Sequence, residues 1–287
     1  WGSYLFLRDV ASGAVWSPTY LPCGVPPDRY DVMFAEDRAE FVRHDGSITT
    51  TLDIVVSPED DAEVRRLSIS NTGPAGRVIE VTSYAEIVLA PRTVDAGHQA
   101  FSKLFVLTEY LPAAGTILAT RRRRAPGEPE LWAAHLAVVE GDAVGGIEIE
   151  TDRARFLGRG NEIGEAVAVT DGRRLSGSVG TVLDPVFALR RRLHVPAGGT
   201  VRIAYWTMVA SSREAILDIV DKHRDANAFA RLRDDFAPRI DDEAVAPGAP
   251  AARVGAALGA GEHVALVLDG AGAQQDFPVG AASGVGE

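Results

Sequence analysis

The sequence predicts an all-β fold of two large stacked antiparallel sheets over residues 1–210, and three observations predict it. Apolar and polar residues alternate with a period of two through much of that stretch, as a strand with one face on a core requires. Short turn signals separate the runs, among them Asp45-Gly46, Asn71-Thr72-Gly73, Asp171-Gly172 and Pro196-Ala197-Gly198-Gly199. No helical pattern intervenes, which favours a sandwich or barrel over a parallel sheet with crossover helices.

Each element follows from its own pattern. In Ser47–Val56 the residues Ile48, Leu52, Ile54 and Val56 share a face with Thr50. In Val78–Leu89 one face carries Ile79, Val81, Ala85, Ile87 and Leu89, and the other Glu80, Thr82, Tyr84 and Glu86. That second face reads as solvent-facing or as lying between sheets. Lys103–Leu111, Gly115–Thr120, Leu131–Val139, Gly146–Glu150 and Thr200–Val209 read as further strands. Ala90 to Lys103 reads as a long loop between two of them. At residue 211 the period changes. Ser211-Ser212-Arg213-Glu214 has the form of a capping box, and Ile216, Ile219, Val220 and His223 follow at helical spacing. A second start at Asp225 leads to Phe229, Leu232 and Phe236, so residues 211–240 are expected to form linker helices. Residues 241–287 are rich in Ala and Gly and read as a weakly structured tail, with one short strand expected in Glu262–Asp269.

Composition bounds the function. The chain has 287 residues, 46% hydrophobic and 24% charged, which suits a large globular β domain. Its net charge of −11 argues against nucleic acid as a general partner. Cys23 is the single cysteine, which excludes an intrachain disulfide and a cysteine zinc site. No apolar run approaches the roughly 20 residues that span a bilayer, so no direct membrane insertion is expected. The opening Trp1-Gly2-Ser3-Tyr4 lacks a signal-peptide pattern and reads as the start of a soluble fragment of a longer polypeptide. The runs Arg121–Arg124 and Arg190–Arg192 read as strand ends or turns before they read as anion sites.

Signatures of catalysis do not appear. There is no phosphate-binding glycine loop, no His-Glu-x-x-His and no Gly-x-Ser-x-Gly. His44, His98, His135, His194, His223 and His263 show no metal-ligand spacing. Glycoside chemistry needs two carboxylates flanking the bond, and Glu80, Glu86 and Glu109 do not assemble into a pair on sequence alone. No catalytic residue, metal site or cofactor is therefore assigned. The stretch between Ala90 and Lys103 is the candidate binding segment, because long loops on rigid sandwiches carry binding. His98, Gln99 and Lys103 have donors or acceptors for sugar hydroxyls, and Phe101 has a face on which a sugar could stack. The equal alternative is a loop ordered by packing on a neighbouring domain.

Several stretches resemble glycoside hydrolase family 94, formerly glycosyltransferase family 36, and more closely its cyclic β-1,2-glucan synthases. They are Phe6-Leu7-Arg8-Asp9 through Gly13-Ala14-Val15-Trp16-Ser17-Pro18-Thr19, Glu80 to Glu86, His98 to Tyr110, Arg153 to Gly160, and Val182 to Arg191. The likeness runs from about Tyr4 to Phe229. It implies a galactose-mutarotase-like supersandwich, linker helices and an (α/α)6 barrel that holds the general acid and the phosphate site. It further implies inverting phosphorolysis of β-glucosidic bonds, with inorganic phosphate as co-substrate of the parent enzyme. The partners so implied are a β-glucan oligosaccharide and the missing barrel, in a parent at a bacterial inner membrane. From about Asp242 the sequence departs from the family, as a shifted reading frame or truncated gene would make it do. The alternatives are a stand-alone carbohydrate-active enzyme on a sandwich scaffold and a purely structural interaction module.

Overall fold

The computed structural model describes residues 2–35, 38–125 and 127–224, together with Val264–Ala265. In chain order the first strands are β1 (Ser3–Asp9), β2 (Val15–Trp16), β3 (Arg29–Phe34), β4 (Arg38–Asp45), β5 (Ile48–Val56), β6 (Ala62–Asn71) and β7 (Arg77–Glu86). After them come β8 (Ala90–Pro91), β9 (Val106–Leu111), β10 (Thr116–Arg121), β11 (Trp132–Glu140), β12 (Asp142–Asp152), β13 (Pro185–Val195) and β14 (Thr200–Ala210). Two antiparallel sheets result. One has five strands in the order β12-β13-β7-β1-β2, and the other eight in the order β3-β4-β5-β6-β14-β11-β10-β9. The expected two-sheet architecture is present. Within the expected strand at residues 262–269, Val264–Ala265 pairs with β8.

The space between the sheets holds the main core, with Leu7, Ile79, Val81, Leu189 and Leu193 from one sheet and Leu52, Leu67, Ile69, Ile117 and Ile203 from the other. Short connections cross between the sheets, among them Gly141 from β11 to β12, Pro196–Gly199 from β13 to β14 and residues 72–76 from β6 to β7. Gly141 has φ +129, and a Cβ there would stand 2.8 Å from the Val201 side chain. Only glycine combines that backbone angle with that closeness. Asp45-Gly46 closes the β4–β5 hairpin, with Gly46 at φ +59 in the first central position.

Both sheets are also covered on the outside, which the alternation does not predict. The five-stranded sheet is capped by α3 (Arg153–Leu157) and α4 (Val167–Thr170). Phe156, Leu157, Ala168 and Val169 from these helices pack on Phe6, Tyr84, Val186 and Ala188. So the polar face of β7 is neither solvent-facing nor between the sheets: Glu80, Thr82 and Tyr84 are each 1% exposed. Glu80 is held there by Arg192 at 2.7 Å and Arg8 at 3.2 Å. The eight-stranded sheet is capped by α5 (Arg213–His223), whose Ile216 and Val220 pack on Val64, Ala204, Trp206 and Met208. In β5 this explains a departure from simple alternation. Ile54 faces the inner core while Val55, on the other face, is buried in the outer one.

The helix start differs by one residue from its expected position. Ser212 is the N-cap of α5 and accepts from the Ala215 amide at 3.1 Å, so Glu214 is too early for a reciprocal box. The expected helix from Asp225 and the assignment of a weak tail lie outside the described residues, apart from Val264–Ala265. No described helix is long and apolar enough to cross a membrane.

Candidate functional site

The stretch between Ala90 and Lys103, read as a loop, contains two short helices, α1 (Arg92–Gly97) and α2 (Gln99–Lys103). Elements of five and six residues are too short to show a helical period, which is why pattern alone reads them as loop. The chain enters this segment through Leu89, whose φ of +48 is rare for a residue with a side chain. The Leu89 side chain is 1% exposed, so burial holds the bend in place. His98 separates the two helices, its carbonyl accepting from the Ser102 amide at 2.9 Å.

The four candidate binding residues do not form one surface. His98 is exposed. Phe101 is 49% exposed, lies edge-on to Phe105 at 5.3 Å and has the Arg124 guanidinium 5.1 Å from its centroid. Gln99 opens α2, and its side chain lies outside what is described. Lys103 points inward: its ammonium donates to Asp184 at 2.6 Å and lies 3.9 Å from Glu86.

Lys103 belongs to a polar hub beneath the segment. Arg153 stands 3.3 Å from Glu86 and 3.5 Å from Asp184, and its Nε donates to the Tyr84 hydroxyl at 3.0 Å. Tyr84 in turn donates to Glu86 at 3.2 Å. Burial, reinforced by the Glu86 charge, pushes the Tyr84 hydroxyl far above its ordinary range, so it remains a donor. Two cations thus meet two carboxylates, and the partly buried charges are balanced, the condition under which such a cluster is tolerated. Four elements supply it: the end of β7, the end of α2, the start of α3 and the residue before β13. The residues that alternation alone does not reveal are Tyr84, Arg153 and Asp184, which are far apart in sequence and meet only through the fold.

Exposed apolar groups border the hub. Leu104, Val179, Val182 and Leu183 line a cleft of about 390 Å³ together with Asp152 and Arg155. Leu183 is 79% exposed and Val179 46%. Such geometry can hold and orient a bound surface. Among the described residues, no group of three His, Cys, Asp or Glu side chains is placed to hold a metal. The arginine runs are structural in part, with Arg190 buried against Thr82 and Glu148, and Arg121 paired to Glu128. Cys23 is half-buried, and burial pushes its thiol above the ordinary value, the opposite of what activates a nucleophile.

The family model described as "Glycosyl hydrolase 94, supersandwich domain" matches residues 1–226. The chain is 41% identical over 228 residues to "Cyclic beta-(1,2)-glucan synthase NdvB" of Rhizobium meliloti (strain 1021), a match covering 79% of this chain and 8% of that protein. It is 25% identical over 236 residues to "Solabiose phosphorylase" of Paenibacillus borealis, covering 82% of this chain and 29% of that protein. The chain therefore spans less than a third of the length of either relative. Among solved structures, a bacterial glucoamylase complexed with acarbose aligns at TM-score 0.47 and 9% identity, over 81% of this chain and 30% of that one. A putative kojibiose phosphorylase from the human microbiome aligns at TM-score 0.42 and 8% identity, over 83% and 25%. The four stretches from Glu80, His98, Arg153 and Val182 each supply one charge of the hub: Glu86, Lys103, Arg153 and Asp184. The chain belongs to glycosyl hydrolase family 94 as a supersandwich domain.

Proposed function

We propose that this domain is a non-catalytic, carbohydrate-facing module of a glycoside phosphorylase of the cyclic β-1,2-glucan synthase type. The barrel that carries out phosphorolysis, with inorganic phosphate as co-substrate, belongs to the rest of the parent protein. The division into a supersandwich at 1–210, linker helices at 211–240 and a tail at 241–287 is part of the same reading, as is a parent at an inner membrane. The observation that carries it is the charge-balanced hub of Glu86, Lys103, Arg153 and Asp184. Through Lys103 the hub ties α2 to the sandwich, so that exposed His98 and Phe101 can meet a β-glucan chain. Both hub carboxylates are committed to cations, which suits positioning better than proton transfer.

A second reading is favoured by one observation. The apolar rim of Leu104, Val179 and Leu183 suits packing against the barrel rather than contact with sugar alone. Calorimetric titration with β-1,2-linked gluco-oligosaccharides, run beside an assay of phosphate consumption, tests both. Sugar binding without turnover supports the module. Turnover by the isolated chain would overturn it in favour of a stand-alone enzyme. Absence of both effects leaves the interaction module as the correct reading.

A further inference from the structure

A second cleft, of about 410 Å³, opens between α3 and residues 173–176, and Arg155, Arg159, Arg173 and Arg174 line it. In a chain of net charge −11, four arginines on one cleft run against the overall balance. The fold brings them together from two segments. Arg155 and Arg159 come from α3 and the turn after it, where Gly158 at φ +80 reverses the chain. Arg173 and Arg174 come from the extended stretch after α4. Val167, Ala168 and Leu175 add apolar lining.

Of the neighbouring carboxylates Glu150 is occupied within the fold, whereas Glu148, Asp152 and Asp171 each stand beside one of the cleft's own arginines. Glu150 is 2% exposed and accepts from the amides of Thr151, Asp152 and Ser176 and from the hydroxyls of Ser176 and Ser178. Glu148 is shared among Arg174 at 3.6 Å, Arg190 at 3.5 Å and Arg192 at 3.9 Å. Asp152 stands 3.6 Å from Arg155, and Asp171 2.5 Å from Arg173. Arg159 has no ion pair or hydrogen bond among the described residues. Four guanidinium groups carry roughly twenty N–H donors. Their side-chain hydrogen bonds are Arg155 to Ser176 at 3.5 Å and Arg173 to Asp171. Arg159 therefore offers the cleft donors with no partner among the described residues, and the exposed Arg155, Arg173 and Arg174 keep N–H groups beyond those that face their carboxylates.

We infer that this cleft is an oxyanion site for a small hydroxylated ligand bearing a phosphate or a carboxylate group. Planar guanidinium forks match both groups, and the apolar lining accommodates the ligand's carbon skeleton. The inference does not depend on the glucan role proposed above. The test is calorimetry on the full chain with inorganic phosphate, glucose 6-phosphate and glucuronate, with neutral glucose as control, at low salt and at high salt. The variant is the double substitution Arg159→Gln and Arg174→Gln. Arg174 is 83% exposed, so the fold should survive, which a thermal melt confirms. The expected result is saturable binding of at least one anion, weakened about tenfold or more by the variant and by salt. Preference for the phosphate ester or for glucuronate identifies the ligand's anionic group. No saturable anion binding, or binding equal in the variant and the original chain, would overturn the site.

Discussion

His135 sits between the two sheets with both ring nitrogens engaged, Nε2 with the Ser83 hydroxyl at 2.8 Å and Nδ1 with Thr207 at 3.0 Å. Its ring stacks with Phe187 at 5.4 Å and Tyr205 at 5.8 Å. Burial, with a further push from the Arg65 charge, pulls its pKa down to about 3. The sign follows by linkage. Between about pH 6.5 and pH 3 the unfolded chain binds a proton that the folded chain refuses, so stability is full above that window and falls with pH through it. The slope contributed is at most about 1.4 kcal/mol per pH unit. Denaturant unfolding across this range should show it, and His135→Gln should flatten the slope while lowering stability at pH 7. An unchanged slope would assign the effect to another group. Lys103 offers a second test. Lys103→Ala leaves Asp184 and Glu86 short of a cation and should cost about 2–3 kcal/mol, below the fully buried range because Asp184 is 32% exposed. Coupling with Asp184→Asn in a double-mutant cycle would confirm that the two act as a pair.

Elements carry their own predictions. Ser212→Ala removes the side-chain cap of α5 and should cost about 1 kcal/mol in thermal or chemical unfolding. Ser211→Ala should cost much less, which separates the observed cap from the one the Ser-Ser-Arg-Glu pattern suggests. The other end of α5 is tied down by Asp60, which accepts from His223 at 2.8 Å and Lys222 at 2.8 Å. Burial works against the Asp60 charge, but these two bonds outweigh it and hold the carboxyl below its ordinary range. That contribution is present at neutral pH and is lost as pH falls through the lowered pKa. The same scale shows how far pattern reading reaches. β5 and β14 match their expected spans to within a residue, because both are runs of nine or more residues rich in β-branched and apolar side chains. α1 to α4 escape it, being no longer than six residues.

At the scale of the whole molecule, stability rests on three apolar layers, one between the sheets and one on each outer face. The outer layer under α5 is testable. Changing both Ile216 and Val220 to Asp would place charge against Trp206 and Met208 and lift the helix from the sheet. The expected outcome is a lower melting temperature with increased binding of a hydrophobic dye, while far-ultraviolet circular dichroism keeps its β signature. A melt that does not change would mean that the helix contributes little to the fold.

The sequence by itself determined the fold class, the two-sheet plan and the change to helix after residue 210, because periodicity and turn residues are local properties of the chain. Its motifs also carried the family. Only the tertiary structure decided which faces are buried twice, since each covering helix packs across strands that lie far apart in sequence. Tertiary structure likewise decided that Lys103 faces inward, because its partners Glu86 and Asp184 lie 17 and 81 residues away. The arginine cleft is of the same kind: Arg155 and Arg173 are unremarkable charges along the chain, and they become a site when α3 and the segment after α4 fold against the outside of one sheet.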